Sequence, residues 1–275
     1  MKLRGKLDGA AFRLRNRLRM GRNGYQEVAQ PKDELYSDRQ NEDALMAAEN
    51  RLLTRYPLLV EARARSRRAR YLEILSVADY IERLWGDRAF PSARPLRWLD
   101  VGAKNWAYVD ALAAFVSAHT LDYQLDGVEI DPWRLYRDLY TRRAYAMAYI
   151  QPYPQARYLE GDVLDCEGTY DVVTLLLPFV LPSPHAAWGL PLEGFRPQAL
   201  LDHIVERLLT PTGSILILNQ GCLEAEAQRA LLQPHLEQGR LEAHCLGELP
   251  PTFLSYRYPR FGWRCQGIAR DGDAR

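Results

Sequence analysis

Leu96-Arg97-Trp98-Leu99-Asp100-Val101-Gly102 and Tyr123-Gln124-Leu125-Asp126-Gly127-Val128-Glu129-Ile130-Asp131 are the two stretches that decide the fold. Each is a short apolar run that closes on an acid beside a glycine, which reads as a strand and its exit turn. Between them, Asn105 to His119 has helical spacing, with Ala111, Leu112, Phe115 and Val116 on one side. Asp131-Pro132 carries the signals of a helix start, aspartate as cap and proline at the first helical position. Further on, Arg157 to Val163 is a third strand with its exit loop, and Tyr170 to Leu177 a fourth, apolar enough to be buried on both faces. A proline-rich loop from Pro178 to Arg196 leads to a helix from about Pro197 to Leu209, and Ser214 to Leu218 is a fifth strand. Glu224 to Glu237 is helical, and Leu241 to Leu246 and Arg260 to Ala269 are two closing strands. Strands alternating with helices predict crossover connections and a doubly wound, mainly parallel α/β sheet.

Upstream of this region the texture is helical. Leu3, Leu7, Ala10, Ala11, Leu14 and Leu18 recur at helical spacing among arginines, which predicts a short basic amphipathic helix. Gly21 to Asn41 reads as loop, and Glu42 to Trp85 as a long helix broken near Pro57. Ala62 to Arg70 holds five arginines, read as a solvated side. Tyr71, Leu72, Leu75, Ala78, Ile81 and Leu84 form a stripe to pack on the next domain. The predicted division is therefore residues 1–90, a basic extension with cover helices, and residues 91–275, the nucleotide-binding domain.

The 275 residues carry a formal charge of +1, which speaks against a generic polyanion binder, although the basic excess is concentrated in residues 1–22. That segment is a candidate contact for an anionic surface, membrane or nucleic acid. Cys166, Cys222, Cys245 and Cys265 are scattered and read as reduced thiols, which together with the lack of a long apolar run predicts a soluble, cytoplasmic protein.

In an open parallel sheet the ligand lies outside the carboxyl ends of the strands, where the strand order reverses. The residues there are Asp100 and Gly102, with Ala103 after them; Glu129 and Ile130; Asp162 and Val163; and Leu176, followed by Pro178 and Phe179. Glu129 has two oxygens able to accept both hydroxyls of a ribose, Asp162 can accept from an adenine amino group, and Leu176 to Phe179 can wall the reactive end of a cofactor.

This order resembles that of the class I S-adenosylmethionine-dependent methyltransferases. Asp100-Val101-Gly102 stands at the first glycine-rich motif, Gly127 to Asp131 at the ribose-binding acid, and Gly161-Asp162-Val163 at the adenine-contacting motif. The resemblance spans about Leu96 to Ala269. It implies a Rossmann-like, seven-stranded sheet whose final strand is antiparallel, preceded by helices that cover the pocket. It also implies S-adenosylmethionine as cofactor, with transfer of its methyl group to a nucleophile. The chain departs from the family at Ala103-Lys104-Asn105-Trp106, where further glycines are usual. Lys104 there either pairs with the cofactor carboxylate or points to solvent.

Beyond the cofactor half, His185 is the candidate general base, though a histidine in a loop is more often a surface residue. Phe179, His185 and Trp188 are the candidate acceptor contacts, with the alternative that Trp188 only pins the loop. His203 and Glu206 have helical spacing without a third ligand, so no metal site is predicted. The acceptor is expected to be a small molecule, sugar or lipid-linked group rather than nucleic acid. The competing reading is a non-catalytic binding or scaffold protein that retains the adenosyl pocket.

Overall fold

The computed structural model describes residues 2–37 and 41–269, and for residues 2–7 the backbone alone. Seven strands form one sheet: β1 (Leu96–Val101), β2 (Tyr123–Glu129), β3 (Ala156–Glu160), β4 (Tyr170–Leu176), β5 (Leu209–Gln220), β6 (Leu241–Glu248) and β7 (Arg260–Gly267). Their spatial order is β3-β2-β1-β4-β5-β7-β6. The first five pair in parallel, and β7 runs antiparallel to both its neighbours, β5 and β6. The order reverses between β1 and β4, which leaves a crevice at their carboxyl ends.

Alternating side chains divide the core between the two faces of the sheet. On one face Trp98, Leu125, Val172, Leu216 and Leu218 meet α4 (Arg68–Trp85), α5 (Val109–Ser117) and α6 (Arg142–Ile150). On the other face Leu99, Val173, Leu175, Ile215 and Ile217 meet α8 (Pro197–His203) and α9 (Gly221–Glu237). Each aliphatic side chain removed from water in this way contributes about 1.5–3 kcal/mol, so covering both faces is what makes the central strands stable.

The upstream helices are α1 (Lys2–Leu18), α2 (Glu42–Arg55), α3 (Leu58–Arg65) and α4, so the long helix expected from Glu42 to Trp85 breaks at Ser66-Arg67 as well as at Pro57. Ser66 is fully buried, its hydroxyl bonded to the Ala62 carbonyl, and its extended backbone turns the chain. The arginines of this stretch are not one solvated side. Arg65 and Arg70 both pair with the buried Asp110 of α5, and Arg70 itself is buried, because a carboxylate enclosed in that helix interface needs a cation beside it.

The helix expected at Asp131-Pro132 does not form there. Asp131 turns its carboxylate to Arg15 of α1, which grips it at 2.7 and 2.5 Å, and the helix starts only at Arg142, where the Thr141 hydroxyl accepts from Ala144 N at 3.0 Å. Two further bounds move. The helix expected to begin near Asn105 starts at Val109, after a tight turn, and the loop from Pro178 to Arg196 contains a short helix, α7 (Pro182–Ala187). The α1 helix lies against that loop, since a Cβ added to Gly9 would come within 3.2 Å of the Pro191 side chain. Among the described residues no helix is long and apolar enough to cross a membrane.

Candidate functional site

The crevice at the switch point widens into a cavity of about 480 Å³. Of the residues singled out in the sequence, Gly102, Glu129, Ile130, Asp162, Val163, Leu176, Phe179, His185 and Trp188 line it. Asp100 and Ala103 are fully buried and do not. Asp100 instead ties strands together behind the cavity wall, accepting from the Thr174 hydroxyl of β4 at 2.6 Å and the Tyr108 hydroxyl at 3.0 Å. Burial pushes its carboxyl up to about 7 in spite of those hydrogen bonds.

The turn after β1 performs with side chains what glycines ordinarily make easy. Lys104 (φ +58°) and Trp106 (φ +49°) both adopt left-handed backbone, which costs each of them about 1–2 kcal/mol. Trp106 is held by burial, its indole lying where a Cβ on Gly127 would come within 2.6 Å. Gly102 (φ +79°) stays open, with nothing within 4 Å of a Cβ built there, so backbone can approach a ligand closely.

Glu129 is the most engaged acid of the site. Its Oε1 accepts from Arg142 Nη1 at 2.7 Å and from Asp131 N at 2.8 Å, while Oε2 accepts from Lys104 N at 2.8 Å. Both partners of the Glu129–Arg142 pair have side chains about 5% exposed. With three donors in place, one acceptor position remains, on Oε2. Asp162 sits nearer the surface; its Oδ1 caps Leu164 N at 3.1 Å and its Oδ2 accepts from Arg196 at 3.2 Å.

A lid crosses the cavity. Leu177, at the end of β4, has φ +62° and its N–H bonds the Leu218 carbonyl at 2.8 Å, which sets the direction of Pro178 and Phe179. His185 is buried in that lid rather than lying on the surface. Its Nε2 faces the Pro191 carbonyl at 2.9 Å and its ring packs edge-on against Phe179 and Phe195. Burial lowers its pKa, so the imidazole holds its neutral form. Trp188 is fixed from below, with Lys104 Nζ 5.4 Å and Arg142 Cζ 5.2 Å from its ring centroid, and its carbonyl accepts from Arg134.

The opposite side of the cavity holds residues that the sequence reading missed, apart from Gln220, which follows the fifth strand and reads as either a substrate contact or a cap of the next helix. Ala69, Glu73, Val77 and Tyr80 of α4 line it, and their spacing of four, four and three residues is itself a helical stripe. Tyr256, Arg260, Gln220 and Glu224 close it, brought together by pairing of Gln220 with Arg260 across β5 and β7. Arg260 bonds Gln220 Oε1 at 3.1 Å and lies 4.1 Å from the Tyr256 ring centroid. The Tyr80 hydroxyl is buried without a hydrogen-bond partner, and among the described residues none pairs with the Glu73 carboxylate. Among the described residues no cluster of three or more His, Cys, Asp or Glu comes together to hold a metal ion.

No protein-family profile and no curated protein matches the chain. Solved structures do. A precorrin-6y C5,15-methyltransferase of Geobacter metallireducens is 13% identical over 64% of this chain and 81% of its own, with a TM-score of 0.42. A Listeria monocytogenes protein described as a class I S-adenosylmethionine-dependent methyltransferase is 14% identical over 86% and 71%, with a TM-score of 0.48. The plantazolicin methyltransferase BpumL, solved in complex with SAH, is 12% identical over 86% and 93%, with a TM-score of 0.44. At these levels the likenesses add nothing to what the sheet itself says. By its strand order, with β7 inserted antiparallel between β5 and β6, the chain has the class I S-adenosylmethionine-dependent methyltransferase fold, with no subfamily assigned.

Proposed function

We propose that the chain binds S-adenosylmethionine in the main cavity and transfers its methyl group to a small acceptor, a sugar or lipid-linked group among the candidates. One observation carries the reading: a cavity of about 480 Å³ at the switch point, with an open glycine at Gly102, a free acceptor position on Glu129, and Asp162 beside apolar walls. That volume lies within the range of about 300–1,000 Å³ usual for small-molecule sites. When bound, the cofactor supplies a methyl group on a positively charged sulfur.

In this reading Glu129 Oε2 takes one ribose hydroxyl, not two, because Arg142 and the Asp131 amide occupy Oε1. Asp162 accepts from the adenine amino group, and Ile130 and Val163 enclose the ring. The acceptor enters on the side of Tyr80, Tyr256 and Arg260, where Glu73 is the carboxylate available to take its proton. His185, neutral and bonded to the lid backbone, holds the lid in shape rather than serving as base. The lid excludes water, and the remaining contribution of the chain is alignment.

Titration calorimetry tests this. Saturable binding of both S-adenosylmethionine and S-adenosylhomocysteine is expected, and binding of neither would sink the proposal. Binding without turnover on any acceptor class would favour the scaffold alternative, for which the glycine-poor turn at Lys104 to Trp106 is the specific motive.

The α1 helix extends the proposal to location. Arg13 and Arg17 are exposed beside Leu14, Leu18 and Met20, a mix of cations and apolar side chains suited to an anionic membrane surface. Cosedimentation with phosphatidylserine vesicles, with and without residues 1–22, distinguishes this from a helix that only braces the lid.

A further inference from the structure

Beside the main cavity, and sharing Lys104, Arg142 and Trp188 with it, lies a second cavity of about 330 Å³, whose wall Arg134 and Tyr136 help to complete. Four cations, Lys104, Arg134 and Arg142 of that wall together with Arg15, gather around two carboxylates that are already matched. Glu129 holds Arg142, and Asp131 holds Arg15. Arg134 reaches Asp131 only at 3.8 Å, and on the oxygen that Arg15 occupies. Among the described residues Lys104 Nζ has no carboxylate partner and rests over the Trp188 ring.

Two donors in the wall are also poorly matched. The buried Arg142 Nε and Tyr136 hydroxyl have, among the described residues, no hydrogen bond of normal geometry, and the Tyr136 hydroxyl has only the Arg142 side chain beside it. Such groups are rare in folded proteins, because each carries the full cost of lost hydration. Crowding of like charge is felt as well: burial and then the nearby Arg142 push Arg134 below its ordinary pKa. The first amides of α6 are no part of this. Arg142 N bonds the Arg134 carbonyl, Arg143 N the Pro132 carbonyl and Ala144 N the Thr141 hydroxyl, so recognition falls to side chains.

We propose that the second cavity is a binding subsite for a phosphomonoester dianion, held by Lys104 and Arg134, with Arg142 Nε and the Tyr136 hydroxyl as further donors. A carboxylate would neutralise one of the two uncompensated cations, and a dianion neutralises both. Arginine also matches phosphate oxygens in a fork that a water shell cannot reproduce. Because the two cavities share a wall, the phosphate belongs either to the ribose of a nucleoside in the main cavity or to the methyl acceptor.

Titration of the full chain in chloride buffer distinguishes these, and inorganic phosphate alone needs no cofactor, so its failure is separate from failure of the methyl-transfer reading. Saturable phosphate binding is expected, weakened about tenfold or more in Lys104→Gln and in Arg134→Gln, each of which removes one charge-assisted hydrogen bond. Tighter binding of adenosine 3′-monophosphate than of adenosine, lost in both variants, assigns the phosphate to the ribose. Phosphate binding that persists with S-adenosylhomocysteine bound assigns it to the acceptor. Thermal melts verify that the variants fold, and if one does not, the unmodified chain still decides. No saturable phosphate binding to it, or unchanged affinity in folded variants, overturns the proposal.

Discussion

Replacing Glu129 by Gln separates two roles that one side chain carries. Its carboxylate is, among the described residues, the sole charge partner of Arg142, at 2.7 Å, and it accepts from two backbone amides at 2.8 Å each. The amide of Gln offers one accepting oxygen and turns a donor toward either Lys104 N or the Arg142–Asp131 pair, while Arg142 stays buried and unpaired. Breaking a buried pair from one side costs about 3–5 kcal/mol. In a chain of this size about 2–4 °C of melting temperature goes with each kcal/mol, so Tm should fall by roughly 6–20 °C. The double variant Glu129→Gln/Arg142→Met removes both charges at similar volume, and most of the stability should return. Ligand binding should not return with it. A hydrogen bond from ribose to a charged acceptor contributes about 1.5–3 kcal/mol, so affinity for S-adenosylhomocysteine should drop roughly 10- to 150-fold in the double variant. Differential scanning calorimetry and titration calorimetry on the same samples read the two effects separately. A double variant that is stable and binds as the unmodified chain does would refute the ribose contact and leave Glu129 a purely structural acid.

Asp100 gives a pH prediction of definite sign. Burial raises its pKa from an ordinary 3.8 to about 7, so the folded chain retains a proton that the unfolded chain releases. Stability therefore falls as pH rises through this window, from about 4 to about 7, relative to Asp100→Asn. Urea unfolding at about pH 5 and about pH 8 measures the divergence, and parallel profiles would contradict it. Gly127→Ala should destabilise by about 1–3 kcal/mol, because the new methyl lies 2.6 Å from the Trp106 indole; a shifted tryptophan emission on unchanged circular dichroism would mark the site. His185→Ala should leave the melting temperature nearly unchanged but expose the segment 178–196 to limited proteolysis, since the ring anchors the lid through Pro191, Phe179 and Phe195. Unchanged cleavage would contradict the anchoring role.

The sheet was readable in the chain because its signals are local: apolar runs of five to seven residues bounded by Gly, Asp and Pro, as in Leu96 to Gly102 or Tyr170 to Leu177. Where the reading went astray, the deciding partner was distant in sequence. Asp131-Pro132 has every local mark of a helix start, yet Asp131 is claimed by Arg15, 116 residues away. Arg65 and Arg70 look like a solvated run until Asp110 is folded against them. Half of the cavity escaped for the same reason. The stripe of Ala69, Glu73, Val77 and Tyr80 was present in the sequence, but the more apolar stripe beside it on α4 dominated the reading. Tyr256 and Arg260 follow a proline-rich segment without periodicity, and only the antiparallel register of β5 with β7 brings them to Gln220. The arginine at 142 carries no local mark of its pairing with Glu129 either, although that pairing limits what Glu129 can offer a ligand.

A crystal structure of the chain with S-adenosylhomocysteine tests the central claim most directly. Adenine is expected between Ile130 and Val163 and one ribose hydroxyl within hydrogen-bonding distance of Glu129 Oε2, with the Arg142 pair intact. A ligand bound elsewhere, or one that leaves Glu129 bonded to Arg142, Asp131 N and Lys104 N alone, would contradict it.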